Sequence, residues 1–283
     1  MLESKRDYHL PQSEAEWLDM GDFRIEQVDV ADTSIRCAFT KAANSNSLVV
    51  MLGGIPRQLD RQQNLPLINK LYGHLALRLQ SEGISSLLYN QPGTGGSSGD
   101  PSTLNLRSRS ETLVELISFY AEKEGVSDIS ILGTSAGAYM ALRCVNQLKK
   151  LGNPVSKLIL LSPAAYPAAI ENVPYGEEFR RIASSPWDID TAPVFEDFAD
   201  FTDGGGEVLV CYFEFDDPPI PLFIQDKYKS CVDSTQGRGR AELYIIEGVE
   251  HNFRTPETER KRKNAVDHNC IRDTACKFLQ FLR

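Results

Sequence analysis

No stretch of this chain reaches the roughly 18 consecutive apolar residues that a membrane-crossing helix needs. Its opening residues, Met-Leu-Glu-Ser-Lys-Arg-Asp-Tyr, lack the apolar core of an export signal. The expectation is a soluble, unexported, cytoplasmic protein. Positive charge is also scarce, with 30 Lys and Arg against 39 Asp and Glu, a net charge of -9 and a pI near 5.1. Such a balance argues against nucleic acid or an anionic membrane as the main partner. The basic cluster Arg260 to Lys263 follows Glu257 and Glu259 and reads as a solvated segment. Metal-ligand spacings are missing too: there is no HExxH, no CxxC and no EF-hand pattern, and only four histidines. We therefore expect no metal and no cofactor. The six cysteines (Cys37, Cys144, Cys211, Cys231, Cys270, Cys276) fall partly inside apolar strands or helices and read as reduced, packed thiols.

What is present suits one large α/β domain: 283 residues, 41% hydrophobic, with no break in composition. Residues 1 to 20 read as an irregular, polar lead-in. Alternating residues over Phe23 to Val30 and Ser34 to Thr40 predict an antiparallel hairpin. Ser47 to Leu52 is a continuous apolar run of the kind buried on both faces of a parallel sheet. Helical stripes at Ile68, Leu71, Leu75 and Leu79, and at Leu106, Leu113, Leu116, Ile117 and Tyr120, flank a strand from Ile84 to Tyr89. The loop Asn90 to Gly99 is rich in glycine but has no lysine, so it reads as a structural turn rather than a phosphate cradle. Further strands are expected at Val155 to Leu161, Glu207 to Phe213 and Ala241 to Ile246, before a final amphipathic helix from Ile271 to Leu282. Strands and helices in alternation mean a mostly parallel sheet covered on both faces. One interval breaks the rhythm: residues 163–205, far longer than the usual ~2–6 residue connection, hold Tyr166, Tyr175, Phe179, Trp187, Phe195, Phe198 and Phe201. We read them as a lid over something apolar, inserted into a core of residues 1–162 and 206–283; a crossover helix with one extra turn is the alternative.

Asp128 to Ala138 organises the rest. Ile129, Ile131 and Leu132 form a buried strand, Gly133-Thr134-Ser135-Ala136-Gly137 turns sharply, and a helix follows. Small residues are needed where such a strand and helix approach closely. Ser135 is left at the tip, and the amide of Ala136, in the first helical turn, is free to donate to an oxyanion. Neighbouring strand ends of a parallel sheet share one rim, which brings Gly53 to Pro56 close and offers the amide of Ile55 or Gly54 as a second donor. A serine needs a base. His251, after the last strand and a turn at Gly248-Val249-Glu250, is the best placed; His9, His74 and His268 lie in the lead-in or in helices. The orienting acid should leave a strand end as well. Asp217, in the stiff Asp217-Pro218-Pro219-Ile220-Pro221 turn, is preferred to Asp216, with Glu214 and Asp188 more distant. The chain order is then Ser135, Asp217, His251.

With these residues in view, the chain resembles the α/β-hydrolase superfamily from about Ser47 to its end. The matching pieces are Leu52-Gly53-Gly54-Ile55-Pro56, Asn90 to Ser98, Gly133 to Gly137, Asp217-x-x-Ile220-Pro221 and Glu250-His251-Asn252-Phe253. Gly53-Gly54 stands where the family often has His-Gly, and Asn90 where Asp is common. The resemblance implies an α/β-hydrolase fold with an eight-stranded, mostly parallel sheet. It also implies acyl transfer from a small-molecule ester or thioester through Ser135, His251 and Asp217, with Ala136 and Ile55 or Gly54 holding the oxyanion. The aromatic interval points to an apolar acyl group. An acyltransferase using the same triad, and a non-catalytic binder of a hydrophobic ligand, are the alternatives.

Overall fold

The structure, a computed structural model, describes residues 13–30, 32–55, 67–68, 70–216, 220–251, 253–254 and 267–283. In chain order, its strands are β1 (Phe23–Val30), β2 (Thr33–Thr40), β3 (Ser47–Leu52), β4 (Ser85–Tyr89), β5 (Asp128–Thr134), β6 (Val155–Leu161), β7 (Glu207–Phe215) and β8 (Arg240–Glu250). The helices are α1 (Glu14–Met20), α2 (Lys70–Ser81), α3 (Leu106–Glu124), α4 (Ala136–Lys150), α5 (Glu177–Ser184), α6 (Pro193–Asp203), α7 (Leu222–Ser234) and α8 (His268–Leu282). The strands form one sheet in the order β1-β2-β4-β3-β5-β6-β7-β8. β1 and β2 pair antiparallel, as do β2 and β4, and every later pairing is parallel.

The central strands are apolar throughout because both faces are covered, and their period of two divides them between two cores. Leu48, Val50 and Leu52 of β3 face the core built with α3, α4 and α6; Val49 and Met51 face the core built with α2 and α8. Val208, Val210 and Tyr212 of β7 divide from Leu209, Cys211 and Phe213 in the same way. Cys37, Cys144 and Cys211 are free, buried thiols, and burial pushes the Cys37 thiol up to about 12.

Three segments differ from the sequence reading. The lead-in contains α1, capped by the Ser13 hydroxyl, which accepts from the Glu16 amide; its Trp17 is 2% exposed against the α2 layer. Seven residues, with Trp17 and Leu18 adjacent and Met20 exposed, give too little periodicity to announce a helix. β8 runs on to Glu250, so Gly248-Val249-Glu250 is strand rather than turn. Gly248 has φ 76, and the register against β7 shifts between Phe213 and Phe215, a bulge that alternation alone does not reveal. The long interval has two parts: α6 packs against α4 as the crossover between β6 and β7, with Val194 and Phe198 buried, while residues 163–192 form the excursion over the strand ends. The Asn90 to Gly99 loop is a turn braced by its own hydrogen bonds, Asn90 Nδ2 to the Gly95 carbonyl (2.9 Å) and the Gly93 amide to the Ser98 carbonyl (2.7 Å). Among the described residues no helix is long and apolar enough to cross a membrane.

A charged cluster moors the excursion to α4. Arg143 donates from Nε to Glu171 (2.8 Å) and pairs through Nη1 with Asp197 of α6, while the Tyr139 hydroxyl donates to Glu171 (2.9 Å) and Asn146 to Asp197 (3.4 Å). Glu171 and Asp197 are buried, so removing Arg143 strands Asp197 in low dielectric and leaves Glu171 with only the exposed Arg107 as a cation, 3.5 Å away. Arg143→Met should cost about 2 kcal/mol, below the range for a fully buried pair because Arg143 is 27% exposed. The measurement is the urea unfolding midpoint, which should fall, with the larger loss at neutral pH and a smaller one where the carboxylates are protonated.

Candidate active site

The carboxyl ends of β3, β5, β6, β7 and β8 share one rim, and at its centre β5 turns into α4 through Ser135. Ser135 has φ 56 and ψ -120, a conformation that costs a residue with a side chain about 1–3 kcal/mol and persists only where the surroundings impose it. They do so through the backbone: the Ser135 amide donates to the Leu161 carbonyl (2.9 Å), and the Ser135 carbonyl accepts from the amides of Ala138 (3.0 Å) and Ala164 (3.3 Å). Backbone packing leaves no room for side chains on either side. A Cβ on Gly133 would lie 2.5 Å from the Gly137 carbonyl, and one on Gly137 would lie 2.6 Å from the carbonyl oxygen of Leu52. Beneath the turn, the Tyr72 hydroxyl donates to the Leu52 carbonyl (2.9 Å) and shares a 2.6 Å hydrogen bond with the Thr134 hydroxyl. Burial raises that phenol above its ordinary range, so it stays a neutral tie between β3 and β5.

Two more strands bring the acid and the base. His251 follows β8 directly, and its Nδ1 lies 2.5 Å from Oδ1 of Asp216, at the end of β7. Asp216 is 1% exposed; its other oxygen accepts from the Ser162 hydroxyl (2.5 Å) and the Phe213 amide (3.2 Å). A carboxylate held this way accepts from Nδ1–H and leaves Nε2 of the imidazole as the basic nitrogen. Phe213 packs edge-on to the imidazole at 5.9 Å and to Phe253 at 4.9 Å, which limits the ring's rotation.

The acid contacting His251 is therefore Asp216, the residue ranked second in the sequence. Asp217 lies outside the described residues. Glu214 instead accepts from the Gly248 amide (2.8 Å) and steadies the bulge, and Asp188 caps a turn in the excursion by accepting from the Asp190 amide. Proline stiffness favoured Asp217, yet a buried acid needs donors, and the strand end supplies them at Asp216. Ser162 was missed entirely. Its signal was a polar residue directly after an apolar strand, at φ 47 in the structure.

The elbow and the His251–Asp216 pair meet through one dipeptide: Leu161 accepts from the Ser135 amide, and its neighbour Ser162 donates to Asp216. No hydrogen bond joins the Ser135 hydroxyl to the imidazole among the described contacts. The Ala136 amide opens α4 and has no acceptor among the described residues, as expected at a helix N-terminus. Gly54 lies against Ser135: a Cβ there would be 3.0 Å from Cβ and 3.4 Å from Oγ of that serine. Of the other histidines, His74 is buried in α2, where desolvation lowers its pKa, His268 starts α8, and His9 is outside the described residues. No group of three or more His, Cys, Asp or Glu side chains that could hold a metal occurs among the described residues.

A cavity of about 740 Å³ opens beside Ser135. Tyr166, Phe179 and Trp187 of the excursion line it with Ile220, Phe223 and Ile224, and Arg180 is the one charged side chain among the described lining residues. Tyr175 backs this wall, edge-on to Phe179 at 5.0 Å, whereas Phe195, Phe198 and Phe201 pack into the core.

Comparison with known proteins agrees with this layout. The model of the serine aminopeptidase (S33) family matches residues 69–186. No curated protein matches the chain in sequence. Among solved structures, the chain is similar to Est1E from Butyrivibrio proteoclasticus with ferulic acid bound, at 14% identity and TM-score 0.61 over 90% of this chain and 98% of that one. It is also similar to an α-β serine hydrolase homologue from Coxiella burnetii (17%, 0.60, 92% and 97%) and to an a/b serine hydrolase without lid from Xanthomonas campestris (15%, 0.57, 97% and 95%).

The close approach at the elbow gives a direct test. Gly137→Ala would set a methyl group 2.6 Å from one backbone oxygen and 2.8 Å from the next, at Leu52 and Gly53, and backbone cannot rotate away as a side chain can. The variant should lose Ser135 reactivity and at least about 1–3 kcal/mol of stability, read by fluorophosphonate labelling and thermal unfolding. Gly152→Ala, whose Cβ meets nothing within 4 Å but whose φ is 81, shows for comparison what left-handed strain costs without a clash.

Proposed function

We propose that this chain, an α/β hydrolase by fold and by the family model over its central part, is a serine hydrolase that cleaves a carboxylic ester or thioester with an apolar acyl group. One observation carries the reading: a serine held in a strained elbow and a buried carboxylate–imidazole pair are anchored to the same rim through adjacent residues, Leu161 and Ser162.

The chemistry follows from the atoms. Ser135 Oγ attacks the substrate carbonyl while His251 Nε2 takes its proton, and Asp216 stabilises the imidazolium through Nδ1. The amides of Ala136 and of Ile55 or Gly54 donate to the oxyanion. Collapse expels the alcohol or thiol, protonated by His251, and leaves the acyl group on Ser135. Water, deprotonated by the same imidazole, then attacks the ester and releases the acid. The aromatic wall beside Ser135 supports an apolar acyl group, because burying such a group there gains about 25 cal/mol per Å². We assign the acid to Asp216, since its carboxylate contacts His251.

Two measurements test this. Against p-nitrophenyl esters and acyl thioesters of increasing chain length, wild type should prefer apolar acyl groups, and Ser135→Ala should lose turnover and fluorophosphonate labelling; turnover unchanged in Ser135→Ala removes the proposed nucleophile. Asp216→Asn should lower kcat by about 10³-fold or more, with Asp217→Asn within a few-fold of wild type. The reverse ranking would return the acid to Asp217.

A further inference from the structure

We propose that Arg109 is a positioning residue: its buried guanidinium clamps the carbonyls of Gly53 and Gly54 and so turns the oxyanion-binding amides toward Ser135. The inference rests on the serine-hydrolase reading for its consequence in catalysis, but the clamp itself does not.

Arg109 lies on the buried face of α3 and is 0% exposed. From Nη2 it donates to the Gly53 carbonyl (3.0 Å) and the Gly54 carbonyl (3.3 Å), and from Nη1 to the Tyr175 hydroxyl (3.0 Å). Nε has no partner, and no carboxylate pairs with this cation among the described residues. A fully buried arginine without a counter-ion is costly. Nothing in the packing of α3 asks for it, since an apolar residue would continue the stripe of Leu106, Leu113 and Leu116.

Peptide geometry shows what the contact achieves. In a trans peptide the C=O and the following N–H point in opposite directions. The Gly53 carbonyl shares its plane with the Gly54 amide, and the Gly54 carbonyl with the Ile55 amide. Holding both carbonyls on one guanidinium turns both amides away from Arg109. Gly54 meanwhile abuts Ser135 on its other side, with a hypothetical Cβ 3.4 Å from Oγ. Gly53 and Gly54 lack the side chains that would otherwise limit the peptide's orientation, so an external clamp supplies the preorganisation on which oxyanion stabilisation depends. The uncompensated positive charge behind the loop acts in the same direction, because it favours negative charge developing in front of it. Tyr175 completes the arrangement: burial raises its phenol above the ordinary range while the nearby guanidinium pulls the other way, leaving a neutral hydroxyl whose oxygen accepts from Arg109.

The test uses Arg109→Lys and Arg109→Met in the full-length protein, with Tyr175→Phe as a milder variant should Arg109→Met fail to fold. A lysine keeps the charge but not the planar fork that reaches the two carbonyls from Nη2 and the Tyr175 hydroxyl from Nη1. Expected are a fall in kcat of about 10–10³-fold for Arg109→Lys with KM within about three-fold, a weakening of trifluoromethyl-ketone binding by the same factor, and an unchanged pH profile. Tyr175→Phe should lower kcat by a smaller factor. Folded variants with unchanged kcat, or a loss confined to KM, overturn the proposal. A second arm needs no activity: in Ser135→Ala, Arg109→Lys should shift the amide resonances of Gly54 and Ile55 and speed their hydrogen exchange, leaving α4 amides unmoved. Unchanged Gly54 and Ile55 resonances overturn the clamp, whereas altered resonances in a chain whose wild type shows no serine reactivity would fault the hydrolase reading alone.

Discussion

A close backbone approach at the centre of the sheet is the one on which the rim depends. The β5–α4 elbow is pressed so tightly against the end of β3 that no Cβ fits at Gly137 without meeting the oxygens of Leu52 and Gly53. That contact brings Gly54 to Ser135 and keeps the serine at positive φ. The parallel sheet supplies the alignment: β3, β5 and β6 deliver their carboxyl ends side by side, so short loops can touch. Tyr72, Arg109 and the Ser135 amide then hold three sides of one junction, two of them by hydrogen bonds to backbone carbonyls at the end of β3.

Much of this was legible in the residues. The apolar runs of β3, β4, β5, β6 and β7 announce strands buried on both faces, and the glycines on either side of Ser135 announce the elbow. Their pattern is strong because each reflects a local requirement, solvent exclusion in one case and close approach in the other. The illegible features are those decided by tertiary contacts. Asp216 and Asp217 are the same residue type in adjacent positions, and the donors that hold Asp216, at Ser162 and Phe213, come from elsewhere in the fold or from the strand before it. The bulge in β8 depends on Glu214 reaching the Gly248 amide across to the next strand. Trp17 is a single large side chain whose burial against the α2 layer no periodicity could reveal.

Arg109 stands between these cases. A charged residue at the 106, 109, 113, 116 spacing interrupts an otherwise apolar stripe, and such an interruption is visible in the sequence. What it contacts is not, because Gly53, Gly54 and Tyr175 lie more than fifty residues away on either side. A charge on a buried stripe is a local contradiction, and here it resolves at the functional rim, where departures from local consistency are expected.

The ionic mooring at Arg143 carries a consequence for how such a chain can diversify. Glu171 in the excursion and Asp197 in α6, just past its end, are both fastened to the helix that begins beside Ser135, whereas the stretch from Phe179 to Trp187, which lines the cavity, gives Arg143 no partner among the described contacts. The two jobs are held by different residues. The cavity wall can therefore be rewritten in the middle of the segment, residue by residue or by grafting, without unsettling the scaffold under Ser135.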